Sequence, residues 1–550
     1  MLPLKFRIII YLIANTTFFY SQTQAFDFIL PLEHKPIITG NYGEIRPNHF
    51  HAGLDFTTDP IKNLPIKCIS DGYVSRIKIS SVGYGKALYI THPNGYVSVY
   101  AHQKKYADQI ETYIQNLQSK LKQNELDVTL KPHELIFKKG DVIGYTGNTG
   151  GSTGPHLHFE IRDELTEIPI NPLLIYKIKD DIKPLITHIS LYNAKDTNSI
   201  SLEKIITVKN TNNDLSSMTN SIITSASHVA IGFAGYDVSN GTTNKNNIYE
   251  VKLSLDNKLI YRHQLNNISF DNGRFVNVFS EKSNGIKLQK CFTPSCFNID
   301  IYKDVINHGV IQLNDTLFHL LNLEVNDENN NKNNATFYLK TKSLSSHHDI
   351  KNIPNAICSI DFIKKEIDYM IQIKAGSLAE NSSITVQKTN VSGKKSFQIK
   401  STNPFLIKPI TVSLKLDKVI EKHKSKLLIL CNQASIGGIY ENGWLTSDTK
   451  TFGTFTYSYD TIAPNITLLK PRKKTNSKNF IIFKINDDLS GIKEYHLYIN
   501  NEWTIAEYDA KTEQLICNFN EHTPKGKIVL KLEVIDKVNN TKTYKTNLER

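Results

Sequence analysis

Cysteine is scarce in this chain: six residues in 550 cannot make the disulfide framework of a small secreted scaffold. Cys291 and Cys296, flanking Thr293-Pro294, are near enough in sequence to bond in an oxidising compartment. Cys68 lies in the alternating stretch Ile66-Lys67-Cys68-Ile69 and reads as a small buried thiol, not a nucleophile. Long apolar runs are missing too, so beyond the N-terminus nothing is suited to span a bilayer. A dense basic stripe is also lacking. Lys plus Arg outnumber Asp plus Glu by 65 to 53, a formal charge of +12 with a pI near 9.0. The positive residues are dispersed, which argues against a nucleic-acid partner and leaves an anionic polymer such as cell wall as a weak match. The Gly-rich stretch Gly147 to Gly154 is not followed by Gly-Lys-Ser or Gly-Lys-Thr, so it is not a P-loop.

What is present begins with a secretory layout: Lys5 and Arg7, an apolar run from Ile8 to Tyr20 broken by Asn15, Thr16 and Thr17, then Thr23 and Ala25 as small residues. The run is shorter than the ~20 residues of a spanning helix, and a signal peptide over 1–25, cleaved after Ala25, is expected. No Cys stands there to take a lipid. The protein is expected outside the cytoplasm, in the periplasm or extracellular envelope.

With 40% hydrophobic and 21% charged residues, the chain has a globular composition and room for three or four domains of about 100–200 residues. A mainly β protein is expected. Short strands divided by turn residues fill 36–102, with hairpin signals at Asp71-Gly72 and Asn94-Gly95. Tyr106, Ile110, Tyr113, Ile114, Leu117 and Leu121 recur at helical spacing, which predicts one amphipathic helix from Tyr106 to Leu126, inside an insertion over about 103–137. That helix either packs on the flank of the sheet or closes over a groove. After Asn171-Pro172 the sequence turns Asn-rich and β-patterned, as in β-sandwich modules. Asp180, Pro184 and Ile186 share their spacing with Asp460, Pro464 and Ile466, and Leu323 to Asp327 echoes Leu532 to Asp536. The expected division is a catalytic domain at 26–178, immunoglobulin-like sandwiches at 179–345 and 457–550, and a β-rich module of uncertain fold at 346–456.

Chemistry concentrates in two histidine motifs, His51-Ala52-Gly53-Leu54-Asp55 and His156-Leu157-His158-Phe159-Glu160, with His102 in Tyr100-Ala101-His102 between them. Imidazoles and a carboxylate suit a borderline metal such as zinc, whose catalytic sites keep three protein ligands. On a straight strand His51 and Asp55 would stand about 13 Å apart, so the chain must bend between them if they share an ion, and Gly53 permits it. His156 and His158 would share one face of a strand at roughly 6.6 Å.

In order along the chain, His51 to Asp55, the turn Gly83-Tyr84-Gly85, the strand Leu88 to His92, Tyr100-Ala101-His102, Gly147-Asn148-Thr149-Gly150 and Ser152 to Glu160 resemble the lysostaphin or LytM-type zinc endopeptidases of duplicated hybrid motif fold. The resemblance spans about Gly40 to Arg162. It implies a peptidoglycan hydrolase with one zinc on His51, Asp55 and His158, and with His102 and His156 as unligated catalytic histidines. One of these would accept the water proton and the other bond the oxyanion, in either assignment. His49 falls outside the pattern and is expected at the rim, while His92 and His133 are expected to be ordinary polar positions. Glu160 is expected to face away from the cavity in a structural ion pair. The rival readings are a catalytically inactive relative that binds wall or activates an amidase, and a surface adhesin built from the β modules. The first lacks its usual mark, a missing ligand; the second leaves the histidine constellation without a purpose. An envelope protein partner for the C-terminal modules is a further expectation.

Overall fold

A computed structural model describes residues 27–33, 37–58, 63–194, 200–208, 221–296, 299–342, 354–469 and 480–550. The expected signal peptide lies outside the described residues. Among them, no helix is long and apolar enough to cross a membrane.

The N-terminal domain is a nine-stranded sheet. Its main path comprises β1 (Ile38–Gly40), β2 (Leu54–Thr57), β3 (Gly72–Ile79), β4 (Lys86–Thr91), β5 (Tyr96–Ala101), β6 (Leu126–Thr129) and β7 (His156–Asp163), in spatial order β1-β2-β7-β5-β4-β3-β6. All these pairs are antiparallel. The last strand thus lies between β2 and β5, where it can bring together groups far apart in sequence. Its letters alternate: Leu157, Phe159 and Ile161 enter the core with Leu54, Leu88 and Tyr100, leaving His156, His158, Glu160 and Arg162 to the other face.

The helix is shorter than its sequence pattern predicts. α1 spans Asp108–Leu121, with Asp108 and Glu111 in its first turn and Lys120 in its last, the polarity that suits a helix dipole. Both expected ends are claimed by strands: Lys105–Tyr106 pairs with Val142–Tyr145, and Leu126 pairs with Ile79. Lys122, at φ 53°, turns the chain out of the helix. Ile110 and Ile114 are buried in the domain core beside Tyr106 and Ile143, so the helix is a flank of the sheet. The rest of the insertion adds β6 and Ile136–Phe137 to the edge at β3.

Three two-sheet units follow, each around its own core. The first has two six-stranded sheets, the second two five-stranded sheets and the third two four-stranded sheets. Period-2 burial explains them: in Lys527–Asp536, Ile528, Leu530, Leu532 and Val534 turn inward while their neighbours face out. The cysteine expectation is corrected. Cys296 bonds Cys358 with Cα atoms 6.3 Å apart, whereas Cys291 is free and buried. Cys291 is turned into the core of the first unit and Cys296 packs against that of the second, so the bridge staples two units. The third unit returns to the N-terminal domain: Lys86 pairs with Glu507 at 2.7 Å, and the Asn124 side chain bonds the backbones of Tyr495 and Ala506.

Candidate metal centre and its histidine pair

Register builds the centre. His158 on β7 stands directly across from Asp55 on β2 and Ala101 on β5. His51 precedes β2, and the chain bends between them at Gly53, where a Cβ would lie 2.2 Å from the Phe159 carbonyl oxygen. Only glycine allows that approach. The bend brings His51 Nε2 to 3.0 Å from Asp55 Oδ1 and 2.9 Å from His158 Nδ1, and the same Oδ1 is 2.9 Å from His158 Nδ1. Three donor atoms therefore form a triangle of nearly equal sides, and the three residues are buried.

The outer nitrogens fix what the inner ones offer. His51 Nδ1 donates to the Asn41 carbonyl oxygen at 2.7 Å, and His158 Nε2 donates to Glu160 Oε1 at 2.7 Å. Each partner only accepts, so in the neutral rings the lone pairs of His51 Nε2 and His158 Nδ1 face each other and the Asp55 carboxylate. Such a convergence could hold a cation. Burial disfavours a charge on His158, but Asp55 and Glu160 outweigh it and push its pKa up to about 9. Burial pulls His51 the other way, below the ordinary histidine range. Although burial alone would raise Asp55, His51 and His158 hold it well below the usual carboxylate range. Its other oxygen accepts from Arg46, which also pairs with Glu44 at 2.9 Å.

His102 and His156 form a second pair, with ring centroids 4.8 Å apart. His102 sits at φ 58°, a region non-glycine residues rarely adopt. Its Nδ1 donates to the Thr149 carbonyl oxygen at 2.8 Å, leaving Nε2 as the basic atom. Burial, reinforced by His158 and His156, lowers its pKa to about 3. His156 Nδ1 donates to the Gly154 carbonyl oxygen at 2.8 Å, while Nε2 is buried, unbonded and 3.5 Å from Asp55 Oδ1. Burial lowers its pKa as well. The Gly-rich loop thus orients both rings.

Glu160 corrects its expectation in part. It does form an ion pair, with Arg162 Nε at 2.6 Å, but it faces His158, because residues two apart on a strand share a face. Burial would raise its carboxyl; Arg162 and His158 hold it at about 2. Tyr84 also donates to it and stacks on His158 at 5.2 Å, which gives the Gly83-Tyr84-Gly85 turn a role in fixing that ring. His49 is exposed and bonds only the Pro47 carbonyl oxygen. His92 is buried away from the centre, between the Asp71 carbonyl and Ser98, and His133 is exposed. Arg46, on a short strand Ile45–Arg46, and Asn41, in a loop, carry no motif or spacing signal in the sequence.

A β-sheet thus holds two imidazoles and a carboxylate at one point, a group that could hold a metal ion, with two more imidazoles beside it. Residues 49–126 and 121–172 match Peptidase family M23, and residues 360–460 match a Zu5-like domain. The stretch around the centre is thus similar to the M23 peptidases. It is 31% identical over 125 residues to the DD-carboxypeptidase/endopeptidase Mpg of Neisseria meningitidis serogroup B, covering 23% of this chain and 22% of that protein. It is 33% identical over 110 residues to the peptidoglycan DD-endopeptidase ShyC of Vibrio cholerae, covering 20% and 19%. The catalytic domain of lysostaphin from Staphylococcus simulans matches at 25% identity over 24% of this chain and 86% of that one, with a TM-score of 0.18. The chain spans about a fifth of the length of the curated relatives just named.

Proposed function

We propose that this chain is an exported zinc metalloendopeptidase that hydrolyses peptide bonds in the stem peptides or crosslinks of peptidoglycan. The observation that carries this reading is the meeting of two imidazole lone pairs and a carboxylate at one buried point. His51, Asp55 and His158 would hold the metal. Their donor separations of 2.9–3.0 Å are close to the roughly 3.3 Å expected between ligands of a tetrahedral zinc with bonds of about 2.0–2.1 Å. When bound, zinc supplies Lewis acidity, lowering the pKa of a water and polarising a carbonyl.

The remaining work falls to this chain's own groups. His102 and His156 are neutral at physiological pH, with their Nδ1 protons committed to backbone carbonyls. Their Nε2 atoms are left to accept a proton from water and to return it to a leaving amine or an oxyanion. Glu160 and Tyr84 hold the His158 ring, and Asn41 holds that of His51. The substrate is taken from one relative named above, the peptidoglycan DD-endopeptidase ShyC. Export follows from the layout of residues 1–25. The units at 179–345 and 457–550 are read as immunoglobulin-like on their shared spacing, and an envelope partner is assigned to them.

The test is digestion of purified, crosslinked peptidoglycan by the zinc-loaded full chain, with fragments identified by mass. Release of new amino and carboxyl termini within peptides, abolished by chelation and restored by zinc, is expected. Intact wall under both conditions would refute the reading.

A further inference from the structure

The two halves of the internal repeat end in matching carboxylate clusters, Asp180, Asp237 and Asp327 in the first β unit and Asp460, Asp487 and Asp536 in the third. In each cluster the carboxylate oxygens lie within 4.8 Å of one another. The scaffolds correspond bond for bond. Asn331 Nδ2 donates to the Asp180 carbonyl oxygen at 3.0 Å and to Asp327 Oδ2 at 2.6 Å; Asn540 Nδ2 donates to the Asp460 carbonyl oxygen at 2.9 Å and to Asp536 Oδ2 at 2.6 Å. Ile182 N caps Asp180 as Ile462 N caps Asp460.

The third carboxylate breaks the match. Asp487 Oδ2 accepts from Gly491 N at 2.7 Å, from Leu489 N at 3.3 Å and from the Ser490 hydroxyl at 3.2 Å. Asp237 is only 4% exposed, yet its Oδ1 is buried with no hydrogen-bond partner. It lies against the other two carboxylates and lines a cavity of about 390 Å³ between the N-terminal domain and the first unit, together with Asp180, Glu328, Ser239 and Asn41. Among the described residues no Lys or Arg forms an ion pair with any of the three; Lys179, at the rim of the cavity, pairs with Asp181. Burial, followed by the Asp327, Glu328 and Asp180 carboxylates, pushes the Asp237 carboxyl up to about 8. A buried, unpaired carboxylate among others is costly unless a cation joins it.

We propose that Asp180, Asp237 and Asp327 bind a calcium ion at the junction between the peptidase domain and the first β unit, and that the matching cluster of the third unit does not. An all-oxygen donor set, with one Asp237 oxygen uncommitted, suits a hard, flexible cation. The same set is a poor site for the zinc assigned to the histidine centre. Calcium at Asp180 fastens the segment 176–180, which leaves the peptidase domain, to the strands of the first unit.

The zinc-saturated full chain, freed of calcium, is titrated calorimetrically with calcium chloride up to about 10 mM, spanning the ~10⁻⁴–10⁻³ M range of extracellular modules. One calcium per chain is expected for the wild type and for Asp487→Asn, and none for Asp237→Asn. At about 100 times Kd the wild-type unfolding transition should rise by about 5–10 °C, and that of Asp237→Asn should not move. A wild type that takes up no calcium overturns the proposal, independently of whether any variant folds. So does uptake that survives Asp237→Asn or is lost in Asp487→Asn.

Discussion

The histidine centre and the cluster of Asp460, Asp487 and Asp536 are both trios of metal-ligand residue types with ligand atoms within 4.8 Å, yet they do opposite things with their protons. In the third unit, backbone amides of Ile462, Ser490, Gly491, Val538 and Asn540 point into the carboxylates. The negative charge is thereby dispersed into the turns that close the sandwich. In the peptidase domain the N–H groups of His51 and His158 point outward, to Asn41 and Glu160. Lone pairs are all that remain at the centre. Residue type and proximity do not separate a binding site from a well-made turn; the direction of the hydrogens does.

Five substitutions sharpen the contrast, in order of falling effect. His51→Ala or Asp55→Ala should reduce metal from near one per chain to under about a tenth and extinguish hydrolysis with it, read by mass spectrometry and by peptide release from wall. His102→Ala leaves all three ligands in place, so turnover should drop by about 10²–10⁴-fold at unchanged metal content. Glu160→Gln keeps a hydrogen bond to His158 but removes the charge behind it, and a competition titration should show metal affinity weakened by about 10–100-fold. Asp536→Ala, at the other cluster, should leave metal and turnover untouched while costing about 1–3 kcal/mol of stability in the third unit through its stranded amides. Loss of metal in that variant would erase the distinction between the clusters.

Much of the centre was legible because its motifs stand in the order of the family that the sequence resembles, and because β7 writes its two faces in alternating letters. The same alternation marked the later units as β-patterned. What escaped was anything carried by loops or by distant segments. Arg46 reaches the centre from a two-residue strand and Asn41 from a loop, too short for any periodicity. The Cys296–Cys358 bridge joins residues 62 apart, while the nearer pair is separated by the burial of Cys291. The helix ended early because edge strands competed for Tyr106 and Leu126. Glu160 was placed on the wrong face although the period of two already put it beside His158.

The central claim is that His158 binds the metal and His156, two residues away on the same strand, works beside it. Zinc per chain and turnover on crosslinked peptidoglycan, measured side by side for His158→Ala and His156→Ala, test it most directly. His158→Ala is expected to lose both, and His156→Ala to keep its zinc while turnover falls by about 10²–10⁴-fold. Zinc retained in His158→Ala and lost in His156→Ala would contradict it.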